Sequence, residues 1–381
     1  MKIKRVVTHV LEVNLPHGEV FAYSQGWYHK RRSLIVEIET EDGIVGYGEA
    51  FGPPRSNAAI VNEVYLPILV NRNPLERESL WLEMYNTMRD HGRKGSSLEA
   101  ISAVDIALWD IAGKYFGVPC YMLTGRKYQL EVKAYATGFY RKKKAEDQHD
   151  DLIAEALGYA NAGFDSMKIK IGFDFKEDIK LLRKIRSELG STISLMIDAN
   201  HAFDESSALR FAREVEELDI SWFEEPVVPE DLDGYQRLRL ASPITIAAGE
   251  AEFSRWGFRD LAQKGCADIL QPDCCAVGGL TEALKVADLA DAWHLRCIPH
   301  VWGTGVAIAA ALQFLAMIAP APPSLNPQRP VLELDRTFNP LREELNLTPP
   351  VVKPGMTYQI PSTPGIGFDI SQHVLQQFKV E

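Results

Sequence analysis

From about residue 130 onward the chain keeps a strand-then-helix rhythm, and three of its strand-like runs each close on an acid. The runs are Ser194-Leu-Met-Ile-Asp198, Ser221-Trp-Phe-Glu224 and Ile244-Thr-Ile-Ala-Ala-Gly-Glu250. Successive acids stand 26 residues apart, the length of one strand, one helix and two loops. This spacing predicts parallel strands with the acids at their C-terminal ends, where β/α barrels keep their chemistry. Three carboxylates converging there repel one another unless a hard divalent cation lies between them. Oxygen-only ligation favours Mg²⁺, one per chain.

Seven strands are expected in this region: 132–137, 167–171, 194–199, 221–225, 244–249, 268–273 and 296–300. Helices expected at 145–162, 175–189, 205–218 and 281–293 separate several of them. The apolar stretch from Gly305 to Pro320 is broken by Gln313 and is short for a membrane span, so it reads as a buried barrel helix. The fold class predicted is α/β, a modified TIM barrel of the (β/α)7β type.

The first part of the chain has a different pattern. Lys2 to Leu15 and Ser33 to Thr40 alternate as strands do, Glu41-Asp42-Gly43 is a hairpin turn, and Ile44 to Glu49 returns. Helical periodicity follows at 57–70, 74–89 and 97–116. Residues 1–125 are therefore expected to form an α+β domain, 126–325 the barrel, and 326–381 a proline-rich segment. That segment still carries Val331, Leu332, Ile360 and Ile366 and so must fold back to bury them.

The net charge of −11 argues against binding to nucleic acid or an anionic membrane surface. It does not exclude a small anionic substrate, whose local field is set by nearby groups. The five cysteines have no zinc-type spacing, and adjacent Cys274 and Cys275 read as small residues after a strand. Reduced thiols and the absence of a secretion signal at the N-terminus suggest the cytoplasm.

The second expected strand reads Met167-Lys168-Ile169-Lys170-Ile171. Alternation puts both lysines on one face. With the apolar residues outward against helices, Lys168 and Lys170 point into the barrel mouth. A lysine crowded by another cation and a divalent ion has its charged form disfavoured, which makes it a usable base near neutral pH. Opposite, Asp273 in Ile269-Leu-Gln-Pro-Asp273 and His300 in Cys297-Ile-Pro-His300 end neighbouring strands. A carboxylate there can fix the histidine tautomer and stabilise imidazolium. Bases on two sides of a divalent ion suit removal of a proton α to a carboxylate.

These residues carry a resemblance. The Lys-x-Lys pair, Asp-Ala-Asn at 198–200, Glu-Glu-Pro at 224–226, Gly-Glu at 249–250 and the Asp273/His300 pair are similar to the enolase superfamily, in its mandelate racemase group. The likeness runs along essentially the whole chain. It implies that Asp198, Glu224 and Glu250 ligate Mg²⁺, with Glu225 behind them. It also implies that Lys170 is the base on one face, tuned by Lys168, and that His300 with Asp273 serves the other. Glu333 resembles the glutamate that hydrogen-bonds the substrate carboxylate. The resemblance further implies a homo-oligomer, and an N-terminal domain that caps the barrel mouth and selects the substrate. The segments 134–138, 198–201, 222–230, 268–273 and 300–305 resemble, within the group, cycloisomerases that open the lactone of a six-carbon diacid by β-elimination.

The segment Phe21-Ala-Tyr-Ser-Gln-Gly-Trp-Tyr-His-Lys-Arg-Arg32 is aromatic and basic, as a lid over a polyhydroxy acid would be. Tyr23, Trp27, His29 and Arg31 are its candidates for substrate contact, with Asn200 and His201 beside the first acid. Arg55, His91, Arg93 and Lys94, outside that segment, are further candidates. Competing readings are simple dehydration of an aldarate or aldonate, racemisation of a hydroxy acid, a metal aldolase on another barrel, and a catalytically silent binding barrel.

Overall fold

The structure is a computed structural model that describes residues 1–142 and 148–380. Its first 125 residues build an antiparallel sheet of Ile3–Asn14, Lys30–Thr40 and Val45–Ala50, covered by the helices Pro54–Ile60, Arg77–Met88 and Ser96–Phe116. Leu34, Val36 and Ile38 on the sheet meet Ala100, Ala103, Val104 and Ala107 on the long helix in one buried core. The sheet can lie that close because Gly48 has no side chain: a Cβ there would sit 1.9 Å from the Ala103 carbonyl oxygen.

The expected lid is a small hairpin. Phe21–Tyr23 pairs with Gly26–Tyr28 and, on its other edge, with Arg141–Lys142 just beyond the first barrel strand. Its tip is tied down: Ser24 Oγ donates to the Ala199 carbonyl at 2.8 Å and Gln25 Nε2 to that of Asn200 at 2.7 Å.

Eight parallel strands then pair in series: Leu332–Asp335, Glu131–Gly138, Ser166–Lys170, Ser194–Asp198, Ile220–Glu224, Ile246–Ala248, Ile269–Leu270 and Arg296–Cys297. The helices Gln148–Asn161, Phe175–Leu189, Glu205–Glu214, Leu232–Ala241, Ser254–Lys264, Gly279–Ala292 and Gly305–Met317 connect them in chain order. The order is that expected of a (β/α)7β chain. The expected closed barrel is not completed as a ladder, because among the described residues no backbone pairing joins Arg296–Cys297 to Leu332–Asp335. A side chain bridges that seam instead, with Val301 N–H donating to Glu333 Oε2 at 3.1 Å. The sheet curls enough for Tyr135 on Glu131–Gly138 to meet Trp222 on Ile220–Glu224 edge-on, ring centres 5.5 Å apart. Tyr135, Met196, Trp222, Ala247, Ile269 and Ile298 form a buried layer on the inner side.

The sixth and seventh strands are shorter than expected. Pro272 and Pro299 follow them and have no N–H to give to a ladder. The helix expected at 145–162 is seen as Gln148–Asn161, its residues 145–147 lying outside the described chain. The C-terminal segment supplies the eighth strand and then pairs Thr357–Gln359 antiparallel with the start of the first. It ends on the N-terminal sheet, where Leu11 and Lys379 form a bridge. All five cysteines are free and buried, and no described helix is long and apolar enough to cross a membrane.

Candidate active site

Strand alternation puts Met167, Ile169 and Ile171 in the apolar core beneath the helices, and Lys168 and Lys170 on the inner side. There they meet the acids. Asp198, Glu224 and Glu250 each offer an oxygen within 4.8 Å of the others, and the first two are fully buried. Lys168 Nζ is bonded to Glu224 Oε1, lies 2.7 Å from Glu333 Oε1 and 3.6 Å from Asp198 Oδ2. Lys170 Nζ is bonded to Asp198 Oδ2 and donates to Asn200 Oδ1 at 2.9 Å.

The backbone at this rim is unusual. Asn200, His201 and Glu225 have φ of 42°, 67° and 42°, the left-handed region that L residues adopt at a cost of about 1–3 kcal/mol each. Neighbouring strands hold them there: His201 N–H donates to the Glu225 carbonyl at 2.8 Å, and Glu225 N–H to that of Ala247 at 3.1 Å. Gly249, at φ 138°, has no room for a Cβ, which would lie 2.7 Å from the Phe258 ring and 2.9 Å from the Gln271 nitrogen. That tight turn aims Glu250 inward.

Across the cluster, His300 Nδ1 lies 2.7 Å from Asp273 Oδ2, while Nε2 faces Glu250 Oε2 at 3.4 Å. Cys275 N–H anchors the other Asp273 oxygen at 2.6 Å. Burial alone would lower the His300 pKa, but Glu250, Glu333 and Asp273 together raise it to about 10.

The lysines sit among acids that set their charge state in the ion-free cluster. Burial disfavours their charge, yet Glu224 and Glu333 around Lys168 and Asp198 beside Lys170 outweigh it. Both are held well above the usual lysine range. The expectation of a lysine brought toward neutrality counted a divalent ion as well as the neighbouring cation, and three acids, Asp198, Glu224 and Glu333, stand against that effect at ion-pairing range. The acids share the effect. Against the pull of burial, Lys170 and Lys168 bring Asp198 down to about 2, and Lys168 and His300 do the same for Glu333. Burial pushes Glu224 up to about 7, and burial with Glu250 beside it drives Glu225 well up.

The pocket therefore holds more carboxylate than its cations neutralise. Oε2 of Glu225 and Oε2 of Glu250 are buried without an aligned hydrogen bond among the described residues, although His201 Nε2 stands 3.1 Å from the former. Under-compensated, oxygen-only donors of this kind fit a hard divalent cation.

Several contributors had weak or no signal in the sequence. Gln271 Nε2 at 2.7 Å and Trp222 Nε1 at 3.0 Å both donate to Glu224 Oε2, and each sits two residues from an inward acid, as strand alternation requires. Thr137 Oγ1 donates to Glu333 Oε1 at 2.7 Å. Two residues come from the N-terminal domain. Glu49 accepts from Thr304 N–H at 2.9 Å and Ala307 N–H at 2.9 Å, holding the loop that carries His300. Phe51 packs edge-on against the His300 ring, centres 5.7 Å apart.

Of the candidate substrate contacts, Asn200 is in the cluster and His201 at its edge. Tyr23 is half-buried beside Tyr28, and burial, Tyr28 and Glu250 raise its hydroxyl to about 12. Arg31 is held by the protein itself, although it also lines a cavity beside Trp27 and His29. It is 3% exposed, pairs with Asp335 at 2.8 Å and lies between the Phe21 and Trp302 rings. Its charge is engaged inside the protein. Trp27 and His29 line a cavity of about 490 Å³ together with Phe51, Trp302 and Asn339, and Arg55 follows Pro54 of the same wall. His91, Arg93 and Lys94 line a separate open cavity of about 920 Å³ beside Trp256, where Lys94 pairs with Glu252 at 2.7 Å. The structure does not bring them to the carboxylates.

Residues 5–125 match the mandelate racemase/muconate lactonizing enzyme N-terminal domain, and residues 151–374 the enolase C-terminal domain-like family. The chain is 42% identical over 380 residues to a D-galactarolactone cycloisomerase of Agrobacterium fabrum, covering 100% of this chain and 99% of that one. An arabinonate dehydratase of Saccharolobus solfataricus is 32% identical, over 92% of this chain and 91% of its own. Among solved structures, the 3,6-anhydro-D-galactonate cycloisomerase of Zobellia galactanivorans superposes with a TM-score of 0.90 at 38% identity, covering 100% of both chains. A racemase of Streptomyces coelicolor with bound magnesium gives 0.88 at 29%, over 99% of this chain and 100% of that one. The chain belongs to the enolase superfamily, in its mandelate racemase/muconate lactonizing enzyme group.

Proposed function

We propose that this protein is a Mg²⁺-dependent enzyme that removes the proton α to a carboxylate of an acid sugar or its lactone. Its reaction is β-elimination that opens a lactone of the D-galactarolactone kind to a keto-deoxy diacid. The observation that carries this reading is the disposition of the groups. Lys170 and His300 stand on different sides of one oxygen-only carboxylate cluster, each touching one of its members. The named relatives supply the substrate class.

Asp198, Glu224 and Glu250 would hold Mg²⁺, with Glu225 behind them. Bound there, the ion supplies positive charge for the carboxylate whose α-carbon loses its proton. With Asp198 engaged as a ligand, Lys170 would lose its main anionic support and its Nζ would be free to exchange a proton with the α-carbon. Lys168, locked between Glu224 and Glu333, stays a fixed positive charge beside it. On the other side His300, oriented by Asp273, delivers a proton to the departing or returning group. Tyr23 and Asn200 flank the substrate. Residues 1–125 act as the cap and 126–325 with the C-terminal segment as the catalytic body. The free cysteines suit a reducing compartment, the cytoplasm.

A second reading has its own support. A lactone's ring oxygen leaves as a carboxylate and needs little acid, whereas hydroxide needs a proton. A His300 imidazole paired with Asp273, able to act as an acid, therefore also suits dehydration of an aldonate or aldarate.

The test is incubation with Mg²⁺ in D₂O against acid sugars and their lactones, followed by NMR. Loss of the α-proton with ring opening supports the cycloisomerase. Turnover of open-chain acids alone selects the dehydratase. No exchange with any α-hydroxy carboxylate overturns both.

A further inference from the structure

Phe51 stands where the N-terminal domain reaches the dyad, and its backbone is fixed at both ends. Its N–H donates to the Cys275 carbonyl at 2.9 Å, and Cys275 N–H in turn holds Asp273. Its own carbonyl accepts from Asn57 Nδ2 at 2.7 Å. The same Asn57 nitrogen donates to Glu99 Oε2 at 3.0 Å, so one amide ties the loop to the first turn of the long helix Ser96–Phe116. The carboxylate of Glu99 is packed against Gly52, where φ is 83° and a Cβ would lie 2.4 Å from Oε2.

Asn57 is fully buried, and its Oδ1 has no hydrogen-bond partner among the described residues. A position that served packing alone would carry an apolar group, since an unsatisfied buried oxygen costs about 1–3 kcal/mol. What the amide supplies is its two donor contacts. Held through them, Phe51 packs edge-on against the His300 ring, whose Nδ1 Asp273 holds.

We propose that Asn57 and Glu99 are positioning residues for His300, acting through Phe51: they fix the cap loop whose ring sets the direction of the imidazole. The inference rests on the proposed role of His300, and its test separates the two. The full-length protein is labelled with ¹⁵N-histidine, and the His300 imidazole resonances are identified by their loss in His300→Asn. Asn57→Leu and Phe51→Leu are compared with the wild type and with Ile101→Val, a conservative substitution in the buried apolar core of the N-terminal domain.

Both loop variants are expected to shift or split the His300 resonances, while Ile101→Val leaves them in place. With a substrate that the wild type turns over, Asn57→Leu is expected to lower kcat about tenfold or more while KM stays nearly constant, the pattern of misaligned chemistry. Glu99→Gln, which keeps an acceptor for the Asn57 amide, should retain most of the activity. Unmoved His300 resonances in folded Phe51→Leu or Asn57→Leu overturn the proposal. If Asn57→Leu does not fold, Phe51→Leu alone decides. An inactive wild type would sink the proposed reaction and leave the resonance comparison valid.

Discussion

Lys168 Nζ lies 2.7 Å from Glu333 Oε1, joining the second parallel strand to the eighth across the first. Thr137 Oγ1 and Val301 N–H complete the Glu333 carboxylate from the first strand and from the loop after the seventh. One side chain thus ties the lysine side of the site to the histidine side and spans the gap in the ladder. Glu333→Gln keeps the shape but removes the charge that holds Lys168 and His300 protonated. Turnover is expected to fall about 10–100-fold, as for other groups that orient a metal site's ligands. Steady-state kinetics beside a melting curve checks this; full activity in a folded variant would show that the charge is dispensable.

The three metal-ligand candidates predict a linkage effect. Mg²⁺ at about 100 times its Kd should stabilise the fold by about 2.7 kcal/mol. The rise in Tm should vanish in Glu250→Gln, since Glu250 alone of the three ligand candidates has a buried oxygen without an aligned partner among the described residues. Chelation should return wild-type Tm and activity to the ion-free level. A Tm blind to Mg²⁺ would remove these acids from metal binding.

What the sequence disclosed follows from how far apart the interacting groups are. The inward placement of Lys168 and Lys170 needs only the two-residue period of one strand, and the clustering of Asp198, Glu224 and Glu250 needs only parallel neighbours. The charge state of the lysines was hidden, because it depends on Glu224 and Glu333, which meet Lys168 only once the sheet curls. Strand ends were overestimated where Pro272 and Pro299 deny the ladder a donor. Phe51 had no local signal, since its role comes from touching a histidine some 250 residues later in the chain.

Arg31 shows the same limit in a form that can be tested. In sequence it belongs to the basic run His29-Lys-Arg-Arg32 and reads as a lid cation. In the fold it pairs with Asp335, and Arg342 Nη1 supports the same oxygen at 2.9 Å. Removing one member of a buried pair costs about 3–5 kcal/mol, and the remaining arginine places Arg31→Met toward the lower end. Denaturant unfolding should show that loss with KM unchanged. A higher KM at full stability would return Arg31 to the substrate.

Asp105 gives a pH test that does not touch the catalytic groups. It lies fully buried on the long cap helix, accepting from Thr281 N–H at 2.9 Å and Thr281 Oγ1 at 2.6 Å on the barrel side. Burial raises its pKa from 3.8 to about 7, with the Thr281 bonds and Arg77 opposing. Between those values the folded state keeps a proton that the unfolded chain has released. This group's contribution to stability therefore falls as pH rises from about 4 to about 7 and is level beyond. Asp105→Asn mimics the protonated acid, its Oδ1 accepting from the Thr281 amide and its Nδ2 donating to the hydroxyl. Wild type and variant should unfold at similar temperatures near pH 4, and the variant should be the more stable by pH 8. Parallel Tm profiles across that range would show that Asp105 is ionised in the folded protein and that the contact between cap and barrel carries a buried charge.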